Sequence, residues 1–485
     1  MLRGEVENQM EPSAFGFLKT GKFWIITVAI ALLTLASILM NWVVFPLFDT
    51  VFPPARDISV AFSALFMLVL GALAAVRPQT MRFTNRYNAM VGLLAVVGSM
   101  GMLLALVWEN APLLVVMSAA LAMGRAGITV STGLAALGMQ VREISVSSAV
   151  GLTLAYVLAA VFSVSEEFAG LLMFLVAPLI AFVLVVRAAD ASLIESQSDL
   201  APADIAVTHP STYIPLAGQM FVCIFVFHAA YGFSLRLGET AGTPVSDLLV
   251  LVPLALVLVI MLIWNKPIKS DLLAQVAVLF IVGGLFLAGA PRTGLHLTAN
   301  VLLSSGNALF GIVVWTVLVT VGTRNKMAAV SVISWGRGLG AVGSVVGALF
   351  GVSFNWLAAE NPQASVLVVG VVLVLFVGYQ IIGLKNFSFA GTVANIEPVA
   401  EELEAKVDPQ ADFDARCDAV ASKFGLTPRE REVFAMLARG RDRTYIEEQL
   451  VVSRNTVKAH VKHIYAKLDI HSQQDLIDVF ESTAL

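Results

Sequence analysis

The feature that most constrains this chain is the recurrence, between residues 23 and 382, of apolar runs about as long as a membrane is thick. A hydrocarbon core of about 30 Å is crossed by roughly 20 apolar residues in a helix. Twelve such runs can be placed, near residues 23–44, 59–76, 88–108, 112–138, 144–164, 169–186, 213–233, 247–264, 271–288, 297–320, 327–352 and 364–382. Composition agrees: 58% of the 485 residues are apolar and 13% charged, against roughly half and a quarter in soluble domains. The first run follows Lys19 and Lys22, but it exceeds twenty residues and shows no small-residue cleavage site. It reads as a retained span rather than a leader. Residues 397–485 read instead as soluble protein, so two environments imply two domains. The expected fold is all-α: a polytopic twelve-helix bundle over residues 1–384, an acidic linker over 385–420 and a small helical domain over 421–485.

Lys and Arg resist translocation, and their placement in short connections sets orientation. With the N-terminus inside, thirteen of them, from Arg3 to Lys385, fall on the cytoplasmic side. Only Arg56, Arg236 and Arg292 fall outside. An even number of spans then returns the C-terminal tail to the cytoplasm, which predicts a multi-pass protein of the cytoplasmic membrane surrounded by lipid. Cys223 and Cys417 form neither a disulfide framework nor a zinc spacing, so no metal is implied.

The longest internal connection, about 187–212, is polar and acidic and divides six spans from six. This layout resembles the major facilitator superfamily, in which two six-helix lobes flank a central cavity. That family's loop motif between spans two and three is matched by Gly71, Leu73, Arg77 and Arg82, with Ala75 in place of its Asp. The departure weakens the case for a working transport cycle.

An ionisable side chain at the bilayer centre costs at least about 2.5–3.5 kcal/mol, so each needs a reason. Arg125 lies midway along the fourth run, on one stripe with Ser118, Thr129 and Thr132. Asn300, Ser304, Asn307, Gly311 and Trp315 make a second stripe on the tenth run. Trp335 and Arg337 lie on the eleventh, His228 and Tyr231 on the seventh. Arg125, Thr129, His228, Tyr231, Asn307, Trp315, Trp335 and Arg337 are therefore the candidate lining of a site for a small molecule, anionic or phenolic, which an Arg fork can grip. The bland alternative is that they join helices, with each Arg satisfied by carbonyls. Gly338, Gly340 and Gly343 spell a dinucleotide-binding pattern, but no strand precedes them. With Gly336, Gly347 and Gly351 in view, Gly340 and Gly343 fit a helix face that admits a close neighbour instead.

After the last run, Pro398, Pro409 and many acids read as a tether with a short helix around 398–406. Thr427, Pro428 and Glu430 then supply an N-cap hydroxyl, a first-position Pro and a capping-box acid. A short helix at 444–450, a tight turn to Ser453 and a helix from Arg454 to Leu468 follow. Between Arg454 and Lys467 there are four basic residues, two His and no acid. Val457, Val461 and Ile464 at i, i+4 and i+7 form a core face.

The runs Leu426–Val433 and Ser453–Leu468 resemble the LuxR-type (NarL/FixJ class) DNA-binding domain over about 60 residues. The resemblance implies four helices, the third entering the major groove of double-stranded DNA and the fourth, about 472–480, serving dimerisation. The core face turns Lys458, Ala459 and Lys462 outward toward base edges, matching the family positions that read bases, and places Arg454, Thr456 and Lys467 to hold phosphate. Asn455 and His463 complete the expected DNA-binding set. Leu476, Val479 and Phe480 form an apolar face on the fourth helix and are the expected contacts of a homodimer on DNA. Glu447 and Asp469 depart from the family, which has Ala and often Gly there. No catalytic signature, phosphate loop or receiver acid cluster is apparent, and no cofactor is implied. The expected function is a membrane-bound, one-component transcription regulator that senses a small molecule. The rival is a major-facilitator-like transporter with a regulatory DNA-binding tail.

Overall fold

The computed structural model describes residues 16–76, 84–163, 167–198, 218–237, 247–264, 268–288, 296–394, 409–450 and 452–481. Every regular element among them is helical. The chain divides into two compact units, Met1–Pro398 and Val399–Leu485.

In the first unit, eleven helices are long and apolar enough to cross a membrane. In chain order the helices are α1 (Gly21–Val51), α2 (Ala55–Val76), α3 (Thr84–Val107), α4 (Ala111–Ala135), α5 (Val141–Ser163), α6 (Glu167–Ser198), α7 (Gln219–Leu237), α8 (Leu251–Ile263), α9 (Ser270–Ala288), α10 (His296–Arg324), α11 (Ala329–Glu360) and α12 (Pro362–Gly378). The short one is α8. A 3-10 turn, Asp247–Val250, precedes it and rises about 2 Å per residue against 1.5 Å in an α-helix, which recovers part of the missing length. Several helices outrun their apolar windows: α6 extends to Ser198 and α11 to Glu360. Part of the expected 187–212 connection is therefore helix. Arg3, Arg77, Arg82, Lys266 and Arg292, used for orientation, lie outside the described residues, as does the expected 398–406 helix.

A π-turn at Met40–Val44 interrupts α1. Pro46 has no N–H to offer the carbonyl four residues back, and the Phe45 N–H bonds to Met40 O instead. The six-helix halves meet where α2 packs on α11 and where α5 packs on α8 and α10. On α11, the glycine face lets α7 approach closely. A Cβ added at Gly347 would stand 1.9 Å from Ala229 O, so only glycine fits. After α12, a second π-turn (Tyr379–Gly383) leads to a short helix, α13 (Phe389–Ala394).

The second unit holds α14 (Pro409–Phe424), α15 (Pro428–Ala438), α16 (Arg443–Leu450), α17 (Arg454–Leu468) and α18 (Gln473–Glu481). The capping box of α15 is complete, with Glu430 N donating to Thr427 Oγ1 and Thr427 N donating to Glu430. Cys417, Val420, Val433, Phe434, Leu437, Ile446, Val457, Val461, Ile464, Leu468 and Leu476 form one buried core. Residues 409–420, expected as linker, thus include a helix that supplies core.

Candidate ligand cavity and recognition helix

In the membrane unit a cavity of about 230 Å³ lies between the halves, lined by α1, α2 and α4 on one side and α7 and α11 on the other. Arg125, Thr129, His228, Tyr231 and Arg337 all line it. The Arg125 guanidinium donates to Ser37 Oγ and Met40 Sδ, each at 3.2 Å, and lies 5.0 Å from the Phe174 ring centroid. Its Nε has no partner. The Arg337 guanidinium stacks 4.6 Å over the Trp315 ring. Among the described residues, neither Arg has a carboxylate within ion-pair distance. His228 donates from Nδ1 to Ile224 O at 2.9 Å, which leaves Nε2 as the ring's other polar atom.

Three of the eight expected lining residues are not in the wall. Trp315 is buried beneath Arg337 and acts as its aromatic platform. Trp335 packs against Gly71, where any side chain would collide with the indole. Asn307 on α10 faces elsewhere, its Oδ1 buried without a partner. Trp315 and Asn307 sit on α10, which contributes no residue to the wall, whereas Trp335 is on α11, a wall helix, with its ring turned toward Gly71 of α2.

The sequence reading missed other lining residues. Met40 and Asn41 sit on the π-turn of α1, a change of register that apolarity alone does not reveal. Arg56, assigned to a loop, and its neighbour Asp57 belong to the first turn of α2 and line the cavity. Asp57 accepts a bidentate pair from Arg236 Nη2 on α7, at 2.7 and 2.9 Å. This pair joins the two halves and uses up the cavity's carboxylate. The observable signal was opposite charges at the ends of two apolar runs.

In the tail, Ser453 caps α17 by accepting from Thr456 N at 3.2 Å. Val457, Val461, Ile464 and Leu468 are buried, which leaves Arg454, Asn455, Thr456, Lys458, Ala459, Lys462 and His463 exposed on a helix without an acid. The Thr456 hydroxyl is engaged locally, 2.8 Å from Ser453 Oγ. Asp469 ends the helix in the left-handed region, φ 54°, where the related family favours Gly and a short polar side chain is tolerated.

Two expectations are corrected. Lys467 is not free to hold phosphate: its Nζ donates to Glu430 at 2.7 Å and to Gly425 O at 2.8 Å, clamping α17 to the start of α15. Burial pushes the Glu430 carboxyl up, but the hydrogen bonds from Lys467 and Thr427 outweigh it and hold the group down at about 2. The apolar face of α18 is also largely taken up within the domain. Leu476 is fully buried, Val479 and Phe480 pack on the same core, and the Phe480 ring lies 4.8 Å from Phe413 of α14. The physical reason is α14 itself, which covers the face that the sequence leaves apparently unused.

Residues 425–480 match the luxR family of bacterial regulatory proteins (GerE). The chain is 42% identical over 60 residues to the Fimbriae Z protein of Salmonella typhimurium, covering 12% of this chain and 29% of that protein. It is 42% identical over 53 residues to the oxygen regulatory protein NreC of Staphylococcus haemolyticus (11% and 24%). To the nitrate/nitrite response regulator protein NarL of Escherichia coli it is 40% identical over 48 residues (10% and 22%). The match spans less than half the length of these curated relatives. In fold, the chain resembles the human organic anion transporter MFSD10 (TETRAN), with a TM-score of 0.52 at 14% identity, over 74% of this chain and 99% of that one. A double-Trp variant of XylE, a major facilitator superfamily protein, gives a TM-score of 0.50 at 12% identity, over 77% and 98%. The chain is a multi-pass membrane protein of major-facilitator-like fold that carries a LuxR-family helix-turn-helix regulatory domain at its C-terminal end.

Proposed function

We propose that this chain is a one-component transcription regulator of the cytoplasmic membrane, with both termini on the cytoplasmic side. A small molecule in the membrane cavity alters how the tail binds promoter DNA. One observation carries the sensing half: Arg125 and Arg337 face one cavity with no carboxylate within ion-pair distance among the described residues. Two such cations in low dielectric favour an anion or a phenolate, and aromatic rings around them suit a flat, partly apolar body. The outward side chains Leu93, Met100, Val183, Ile263 and Leu367 are exposed apolar surface for lipid.

For the tail, Lys458, Ala459 and Lys462 occupy the exposed face of α17 and are assigned to base edges. Arg454, Asn455, Thr456 and His463 are assigned to the flanking backbone and groove wall. Binding as a homodimer to two half-sites remains part of the proposal, with contacts other than the buried face of α18. No catalytic role is proposed.

A transporter with a regulatory tail is the second reading, favoured by the cavity's position between the two six-helix halves. Flux of candidate anions in proteoliposomes separates them: flux favours the second reading, and ligand binding without flux favours the sensor. Footprinting with the full chain in nanodiscs tests the DNA binding that both readings require.

A further inference from the structure

The chain leaves the last span through a segment that is fastened to the membrane unit at both ends. Asp271, at the start of α9, accepts from Ser388 Oγ at 2.8 Å, Phe389 N at 2.6 Å and Ala390 N at 3.4 Å. Ser388 Oγ in turn accepts from Gly391 N at 3.0 Å. At the other end of α13, Arg324 Nη1 donates to Val393 O at 2.7 Å. A six-residue helix is too short to hold itself together in water, so these contacts and the burial of Phe389 define its shape.

Phe389 is also the end of a packed aromatic path. It is 4% exposed and lies 6.1 Å, edge to face, from Phe310 of α10. Phe310 is fully buried, stacks 3.8 Å from Phe227 and meets the His228 ring at 6.2 Å. His228 lines the ligand cavity. Three side chains therefore connect the cavity wall to the root of the tether, and close-packed aromatic rings do not shift independently. Residues 395–408 are all that separate α13 from α14 in sequence.

We propose that α13 and its anchors Asp271 and Arg324 form a latch that transmits cavity occupancy to the tail through His228, Phe310 and Phe389. This rests on the sensing reading above and specifies its output element. A ligand that moves His228 displaces Phe310, withdraws support from Phe389 and changes the fraction of chains in which residues 387–394 stay docked. The latch is a two-state element, which coupling between distant sites requires.

Hydrogen–deuterium exchange on the full chain in nanodiscs tests this, because the Phe389 and Ala390 amides donate directly to Asp271. Asp271→Ala is expected to speed exchange in residues 387–394 by roughly tenfold or more, the factor that corresponds to losing one charge-assisted hydrogen bond. His228→Ala and the milder Phe310→Leu are expected to shift exchange in the same segment, with α4 and α5 unchanged as the control for folding. Unchanged exchange at 387–394 in both cavity-side variants overturns the latch, whatever happens to transcription. Transcripts lost in a Lys458→Ala, Lys462→Ala chain are followed in parallel. Altered exchange with no transcript depending on those lysines leaves the latch standing and sinks the DNA-reading proposal instead. If Asp271→Ala and His228→Ala shift the same transcripts additively rather than masking one another, the two act separately and the latch is wrong.

Discussion

Glu430→Gln should destabilise the tail in a way that depends on pH. Glu430 is 4% exposed, and its carboxylate accepts from Lys467 Nζ at 2.7 Å and from Thr427 N at 2.8 Å. The Gln carbonyl can still accept from Thr427 N, but the charge that holds Lys467 is gone. A hydrogen bond to a charged group is worth about 1.5–3 kcal/mol. For a domain of this size each kcal/mol moves the melting temperature by roughly 4–8 °C, which predicts a fall of roughly 6–24 °C at neutral pH. The sign follows from the depressed carboxyl, held at about 2 against an ordinary 4.5. Its contribution is complete above the ordinary range and is lost as pH falls through about 2. Thermal melts of residues 405–485, followed by circular dichroism from pH 7 to pH 2, should show a wild-type advantage that shrinks below pH 4.5. A gap that stays constant across that range, or one under about 2 °C at pH 7, would refute the assigned role.

Lys467→Ala should lower the melting temperature of the same tail while leaving the salt slope of DNA binding unchanged, because its Nζ is already tied to Glu430 and Gly425 O. A slope shallower by about one unit would restore it as a phosphate contact. Gly347→Leu should prevent α7 and α11 from packing, since even a Cβ would stand 1.9 Å from Ala229 O. Size-exclusion of the detergent extract should show loss of monodisperse protein, and an unaltered profile would contradict the geometry. Arg125→Ala should leave protein levels intact and abolish the transcriptional response to whichever anion induces it. A normal response at wild-type ligand concentration would remove Arg125 from the site.

Much of the architecture was legible because lipid imposes one rule on every span, and long apolar runs have few other uses. The convergence of Arg125, Thr129, His228, Tyr231 and Arg337 was legible for the complementary reason: polar groups within spans must face protein or water. Periodicity gives a side chain's direction on its own helix but not the rotation of that helix in the bundle. Trp315, Trp335 and Asn307 therefore stood near the site without lining it. Arg56 and Arg236 were read as loop charges because α2 and α7 continue past their apolar windows, and the pairing of Arg236 with Asp57 appears only when the halves meet. In the tail, the pattern Val457, Val461, Ile464 revealed the buried face of α17 directly. Helix α14 was hidden by its own acids: Cys417 and Val420 join the buried core and Phe413 packs on it beside Phe480, contacts made only in the folded domain. A local sequence cannot announce its tertiary partner.

The central claim is that one chain both spans the membrane and reads DNA through α17. The most direct test is sequence selection from a random duplex pool by the full chain in nanodiscs, beside the same chain with Lys458→Ala and Lys462→Ala. The account predicts enrichment of a defined motif by the wild type. Each substitution alone should cost roughly 1–3 kcal/mol and relax preference at its own base positions. If the doubly substituted chain enriches the same motif with the same ranking, or if the wild-type chain enriches none, α17 is not the reading element and the account is wrong.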